Sequence, residues 1–232
     1  MSRTTRLKIS IALKFAVFLC VAAALFFDPS ADLKFFTNQS NLLIGALDLV
    51  FAFLLIGRIK DGSLELTTPH YIMQLIATVA ITLTGIIFCF VLLPVFLAAG
   101  VPASMILSWR QILLHIVVPV LAVVDFLCFT RPLKYSYMFR DCLFPVIMPL
   151  YYLIFEIVCY RMNLEFAPGI NYPYFFMNWA SPAGLFGFSN QMPYFMGNGY
   201  WMILILLMTF GISFFYLHIV NKGIVKNRDN LI

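Results

Sequence analysis

Residues 72–97 read IMQLIATVAITLTGIIFCFVLLPVFL, a stretch without a single Asp, Glu, Lys or Arg. At about 1.5 Å per residue, a helix of this length exceeds the ~30 Å hydrocarbon core of a bilayer. In a lipid interior only a helix can satisfy its own backbone without partner strands, so the run predicts a transmembrane helix. Comparable apolar runs lie at about residues 9–27, 41–57, 109–129, 141–160 and 200–220. The polar Thr37-Asn38-Gln39-Ser40-Asn41 ahead of the second run supplies N-cap residues, which places the start of that helix near residue 38. The expected fold is an all-α membrane protein, a single six-transmembrane helix bundle over residues 1–232. Its spans fall at about 9–27, 38–57, 72–97, 109–129, 141–160 and 200–220.

Composition agrees. The chain is 62% hydrophobic and 11% charged, with 25 Phe in 232 residues and a mean hydropathy of +0.95. A soluble domain carries about 25% charged residues, so this chain cannot cover a water-facing particle. The net charge of +5 does not mark a nucleic-acid binder, because the cations sit at the ends of the apolar runs. With a cytoplasmic N-terminus, Arg3, Arg6, Lys8, Lys14, Arg58, Lys60, Arg131, Lys134, Arg140, Lys222, Lys226 and Arg228 fall on the inner side, and only Lys34, Arg110 and Arg161 fall outside. That bias predicts cytoplasmic N- and C-termini and a multi-pass protein of the cell (inner) membrane. Phe26-Phe27-Asp28-Pro29 offers no small-residue cleavage site, so the first run is read as a permanent helix. Cys20, Cys89, Cys128, Cys142 and Cys159 show no CxxC pairing and read as small hydrophobes. Residues 161–199 form the one long connection. Its aromatic content, including Asn171-Tyr172-Pro173-Tyr174-Phe175-Phe176 and Asn178-Trp179, argues against disorder.

Ionisable groups within a span are costly and mark the interior of the bundle. Here they are read as Asp48, His115, Asp125 and Glu156. Thr37, Asn41 and Asp48 share one face of the second helix, Gln111 and His115 one face of the fourth, and Pro145, Pro149, Tyr152 and Glu156 one face of the fifth. Gln74, Thr78, Thr82 and Gly85 make a milder stripe on the third. By rise per residue, Thr37 lies at the outer surface, with Glu156 about 6 Å and His115 about 9 Å down. Asp48 and Asp125 sit about 15–16 Å deeper than Thr37 and His115 respectively. Pro119 deprives the His115 carbonyl of a helical N–H and is expected to bend the helix there. No GxSxG, HExxH, GxxxxGK[ST] or GxGxxG motif is present, so any chemistry falls to these membrane-embedded residues. No metal site and no cofactor are expected.

Two segments carry a resemblance. Phe35-Phe36-Thr37-Asn38-Gln39-Ser40-Asn41-Leu42-Leu43 and Leu113-Leu114-His115-Ile116-Val117-Val118-Pro119-Val120-Leu121-Ala122-Val123-Val124-Asp125-Phe126 resemble the prokaryotic six-transmembrane relatives of the androgen-induced gene family. Tyr172-Pro173-Tyr174-Phe175-Phe176 resembles the aromatic-proline segment before the last helix in that group. At Asn178 the chain departs from a pattern that often carries an acidic residue. The resemblance implies a threonine hydrolase acting on fatty acid esters of hydroxy fatty acids or related lipid esters. Thr37 would then be the nucleophile and His115 the general base. Asn38, Asn41 or Arg110 would support the oxyanion, and Glu156 would either orient His115 or pair with Arg110. Asp48 and Asp125 are read as a buried polar network holding helices together. The expected partners are a lipid or fatty-acyl ester substrate and membrane lipids, with no nucleic acid and no obligate protein partner. The alternative is a small-molecule-binding subunit of a transporter, docking through Ala12 and Ala16 on the first helix.

Overall fold

The computed structural model describes residues 2–27, 32–60, 65–132 and 139–229. Lys134, counted among the inner cations, and Asp28 and Pro29, used to judge the first helix, lie outside the described residues. Among the described residues, six helices are long and apolar enough to cross a membrane. The first span is α1 (Arg3–Phe26) and the second α2 (Phe36–Ile56). A two-residue strand β1 (Glu65–Leu66) precedes the third span, which comprises α3 (Thr68–Ile87), a π-helical turn at Phe88–Leu92 and α4 (Leu93–Ala98). The short α5 (Ala103–Ile106) leads into the fourth span: α6 (Trp109–Ile112), a second π turn at Leu113–Val117, and α7 (Val118–Cys128). Strand β2 (Arg131–Pro132) follows. A 3-10 segment at Phe139–Val146 then continues into α8 (Ile147–Arg161), and α9 (Asn198–Asp229) is the last helix.

The span boundaries differ from the sequence expectation in instructive ways. Helix α1 starts six residues early because Ser2 caps it, its Oγ accepting the Thr5 N–H at 3.1 Å. Helix α2 starts at Phe36 after an extended Phe35 that provides no side-chain cap. The polar residues 37–41 are therefore the first helical turns rather than the cap. Asn38, Ser40 and Asn41 are buried, which turns hydrogen-bonding groups toward the bundle instead of toward the helix end.

Helix α3 is the hub: it packs against α2, α7, α8 and α9. One end of the bundle holds the start of α1, the end of α7 and the parallel β1–β2 ladder, in which Glu65 pairs with Arg131. There Arg6 donates to the Cys128 carbonyl at 2.8 Å, and Leu7, Phe51, Leu75, Phe126 and Tyr216 share a core. At the opposite end, Phe36, Phe88, Tyr152, Phe176 and Trp201 form a second core beneath residues 162–197. We call these the terminal end and the loop end. Phe53, Phe90, Ile154 and Leu207 face outward at 60%, 77%, 65% and 63% exposure, as a lipid-facing belt requires.

The long connection is built rather than loose. Tyr174 and Phe176 stack with ring centroids 5.2 Å apart, and Phe176 leans on Trp201. Asn198 donates to the Asn178 carbonyl at 2.5 Å. The Tyr172 and Tyr194 hydroxyls meet at 2.9 Å, and that bond pushes the Tyr172 phenol up to about 12.

Candidate active site

The two π turns define the loop-end site. Pro119 has no N–H, so the regular bond to the His115 carbonyl cannot form and the fourth span widens over Leu113–Val117. Neighbouring spans close on the widened turn. Asn41 donates to the Leu114 carbonyl at 3.2 Å, and Gly85 brings α3 close enough that an added Cβ would sit 2.9 Å from the His115 oxygen. The widened turn carries the His115 ring inward, where it stacks on Phe88 of the opposing π turn with centroids 4.0 Å apart.

His115 Nε2 lies 3.3 Å from Thr37 Oγ1. Its other nitrogen, Nδ1, lies 3.0 Å from the Gln111 carbonyl. A carbonyl only accepts, so Nδ1 carries the hydrogen and Nε2 presents a lone pair to the threonine hydroxyl. The Tyr174 hydroxyl stands 3.4 Å from Thr37 Oγ1 and accepts the Thr37 backbone N–H at 3.3 Å. Burial pushes the Tyr174 phenol up, which keeps its proton available for donation. A cavity of about 70 Å³ opens beside Thr37 and Tyr174, walled by Leu83, Tyr152, Leu153 and Ile205. It is apolar and has room for a few waters or methylene groups.

The other expected site residues are placed differently. Glu156 is fully buried, but its carboxylate accepts the Trp179 indole N–H at 2.8 and 3.1 Å rather than meeting His115 or Arg110. It anchors the long connection to α8, and the Gln111 carbonyl takes over the orienting of His115. Asn38 donates to the Asp32 carbonyl at 2.6 Å and accepts from Arg110 at 3.1 Å. Arg110 also donates to the Ala24 carbonyl at 3.1 Å. Asn41 donates to the carbonyls of Thr37 and Leu114. These three tie α1, α2 and the fourth span together, and the asparagine N–H groups point at backbone rather than at the cavity.

Asp48 and Asp125 do share a level, and what joins them is Lys14. Its Nζ lies 3.0 Å from Asp48 Oδ1 and 2.7 Å from Asp125 Oδ2. Lys14 is 1% exposed, so its place among the orienting cations of the inner side is corrected: it is an interior ion-pair partner. Ser10 donates to Asp125 at 2.6 Å and Gln74 to Asp48 at 2.8 Å. The i, i+4 spacing of Ser10 and Lys14 on α1 was the available signal. The contributions of Tyr174 and Trp179 had none beyond the aromatic richness of their segment. Among the described residues no group of three or more His, Cys, Asp or Glu side chains is arranged to hold a metal, and the five cysteines are free. No protein-family profile, no curated protein and no solved structure matches the chain.

Proposed function

We propose that the protein is an intramembrane ester hydrolase with Thr37 as nucleophile and His115 as general base, acting on a lipid ester as the family resemblance implies. The observation that carries this reading is the 3.3 Å approach of Thr37 Oγ1 to the unprotonated nitrogen of a histidine fixed by a backbone carbonyl. Thr37 Oγ1 attacks the ester carbonyl carbon while Nε2 of His115 takes the hydroxyl proton. The tetrahedral oxyanion accepts a hydrogen bond from Tyr174, whose lone pair is already engaged by the Thr37 N–H. Collapse expels the alcohol, which leaves with the proton from His115, and an acyl-threonine remains. Water then attacks the acyl carbon, again through His115, releasing the acid and restoring Thr37. The apolar cavity beside Thr37 suits an aliphatic chain, and loading a whole acyl chain requires the walls of the cavity to part. The cation bias along the chain orients the terminal end to the cytoplasm of an inner membrane, with the site toward the outer leaflet.

The test is labelling of the purified protein by a fluorophosphonate probe, together with turnover of a panel of lipid esters. Thr37→Ala and His115→Ala are each expected to abolish both. Labelling that survives Thr37→Ala excludes this nucleophile and passes the assignment to Ser40. A tightly held ligand with a co-purifying membrane partner, and no turnover, would favour a transporter's binding subunit instead.

A further inference from the structure

Toward the terminal end, well apart from Thr37, three spans converge on a cluster that holds one cation and two carboxyl groups. Lys14, Asp48 and Asp125 are 1%, 0% and 0% exposed. Were both carboxyls ionised, the cluster would carry a surplus negative charge inside the membrane, where unpaired charge is costly. The donors are divided unequally. Asp125 receives Ser10 on Oδ1 at 2.6 Å, and Lys14 and Thr130 on Oδ2 at 2.7 and 3.2 Å. Asp48 receives Lys14 and Gln74 Nε2 at 3.0 and 2.8 Å, both on Oδ1. Its Oδ2 is buried with no partner among the described residues, as are Gln74 Oε1 and, one turn further along α3, Thr78 Oγ1.

A carboxylic acid and a primary amide form a two-armed ring: amide N–H to the acid's carbonyl oxygen, and acid O–H to the amide oxygen. The first arm is present between Gln74 and Asp48. The two oxygens that the second arm would join, Asp48 Oδ2 and Gln74 Oε1, are both unpartnered, and two bare acceptors on one acid–amide pair have nothing to hold between them unless one carries hydrogen. We propose that the cluster is a proton-binding site: Asp48 carries the proton on Oδ2 and donates it to Gln74 Oε1, while Asp125 is the carboxylate that pairs with Lys14. The proton comes from water and returns to it, so the cluster alternates between neutral and singly negative. The titratable groups facing Asp48 are Lys14 from α1 and Asp125 from α7. Tyr71, three residues before Gln74, is the next on α3 and is fully buried.

Infrared difference spectroscopy on the full chain in lipid nanodiscs tests this directly. At neutral pH the wild type is expected to show the C=O stretch of a buried protonated carboxyl, shifting on deuterium exchange and absent in Asp48→Asn. Thermal unfolding supplies a second readout. Asparagine keeps the shape and neutrality of the acid, so Asp48→Asn should melt at or above the wild-type temperature, while Asp125→Asn, which strips Lys14 of its carboxylate, should lose roughly 10 °C. The absence of a protonated-carboxyl band overturns the proposal. So does an Asp48→Asn loss as large as that of Asp125→Asn. A melting temperature that follows sodium, when choline replaces it at constant ionic strength, overturns it in favour of a metal cation.

Discussion

In the proposed mechanism, Tyr174 allows the nucleophile and the oxyanion support to be tested apart, at the level of a single atom. Its hydroxyl touches Thr37 at both Oγ1 and backbone N, while the base in the proposed mechanism is His115. Tyr174→Phe removes one oxygen and keeps the ring that stacks on Phe176. Fluorophosphonate labelling of Thr37 is expected to persist in this variant. Ester turnover should fall by about 10²-fold in kcat, the size of effect that follows loss of one oxyanion donor. Unchanged kcat would demote Tyr174 to a packing residue. A loss confined to KM would place it in the binding of the chain rather than at the carbonyl.

Among the elements, the two π turns hold His115 against Thr37, and Gly85 sets how closely they approach. A Cβ at position 85 would lie 2.9 Å from the His115 oxygen and 3.3 Å from Pro119, and both are backbone or ring atoms that cannot swing aside. Gly85→Ala should therefore push the fourth span away, costing about 1–3 kcal/mol as an overpacked core substitution does. It should also diminish probe labelling of Thr37 in protein that still folds, as seen in a side-by-side melt and labelling assay. Wild-type labelling would mean that the span separation does not set the Thr37–His115 distance. Pro119 in the sequence points to a disturbance beneath His115, but whether that becomes a kink or a π turn depends on what receives the freed carbonyls. Asn41, which receives the Leu114 carbonyl, and Gly85, whose missing side chain leaves room for the His115 carbonyl, both come from other spans. The six runs were legible because a membrane span has to be apolar over about 20 residues whatever its partners. Thr37, Asn41, Asp48, His115, Asp125 and Glu156 were legible as interior positions because polar groups in lipid have few other places to go. Their pairings were not. Glu156 meets Trp179, a residue 23 positions away on a connection without helical periodicity.

At the scale of the whole bundle, Lys14 shows why a charge near a helix start should be judged by depth and partners. Counted with Arg3, Arg6 and Lys8 it looks like an orienting cation, yet it lies eleven residues into a helix that begins at Arg3. Its ammonium joins α1 to α2 through Asp48 and to α7 through Asp125. Removing one partner of a buried pair leaves the other uncompensated, at about 3–5 kcal/mol. Lys14→Met keeps the length and apolar stem, so the loss is one of charge rather than of volume, and a fall of roughly 10 °C in Tm is expected for a chain of this size. If Asp125 is the carboxylate left stranded, Lys14→Met combined with Asp125→Asn should recover most of that fall, because the cluster is then neutral throughout. Combining Lys14→Met with Asp48→Asn should recover little, since Asp48 has no charge to remove. Equal rescue by the two double variants would mean that the aspartates share the charge. Additive losses in both would show that Lys14 holds the spans by packing, with its ammonium contributing little.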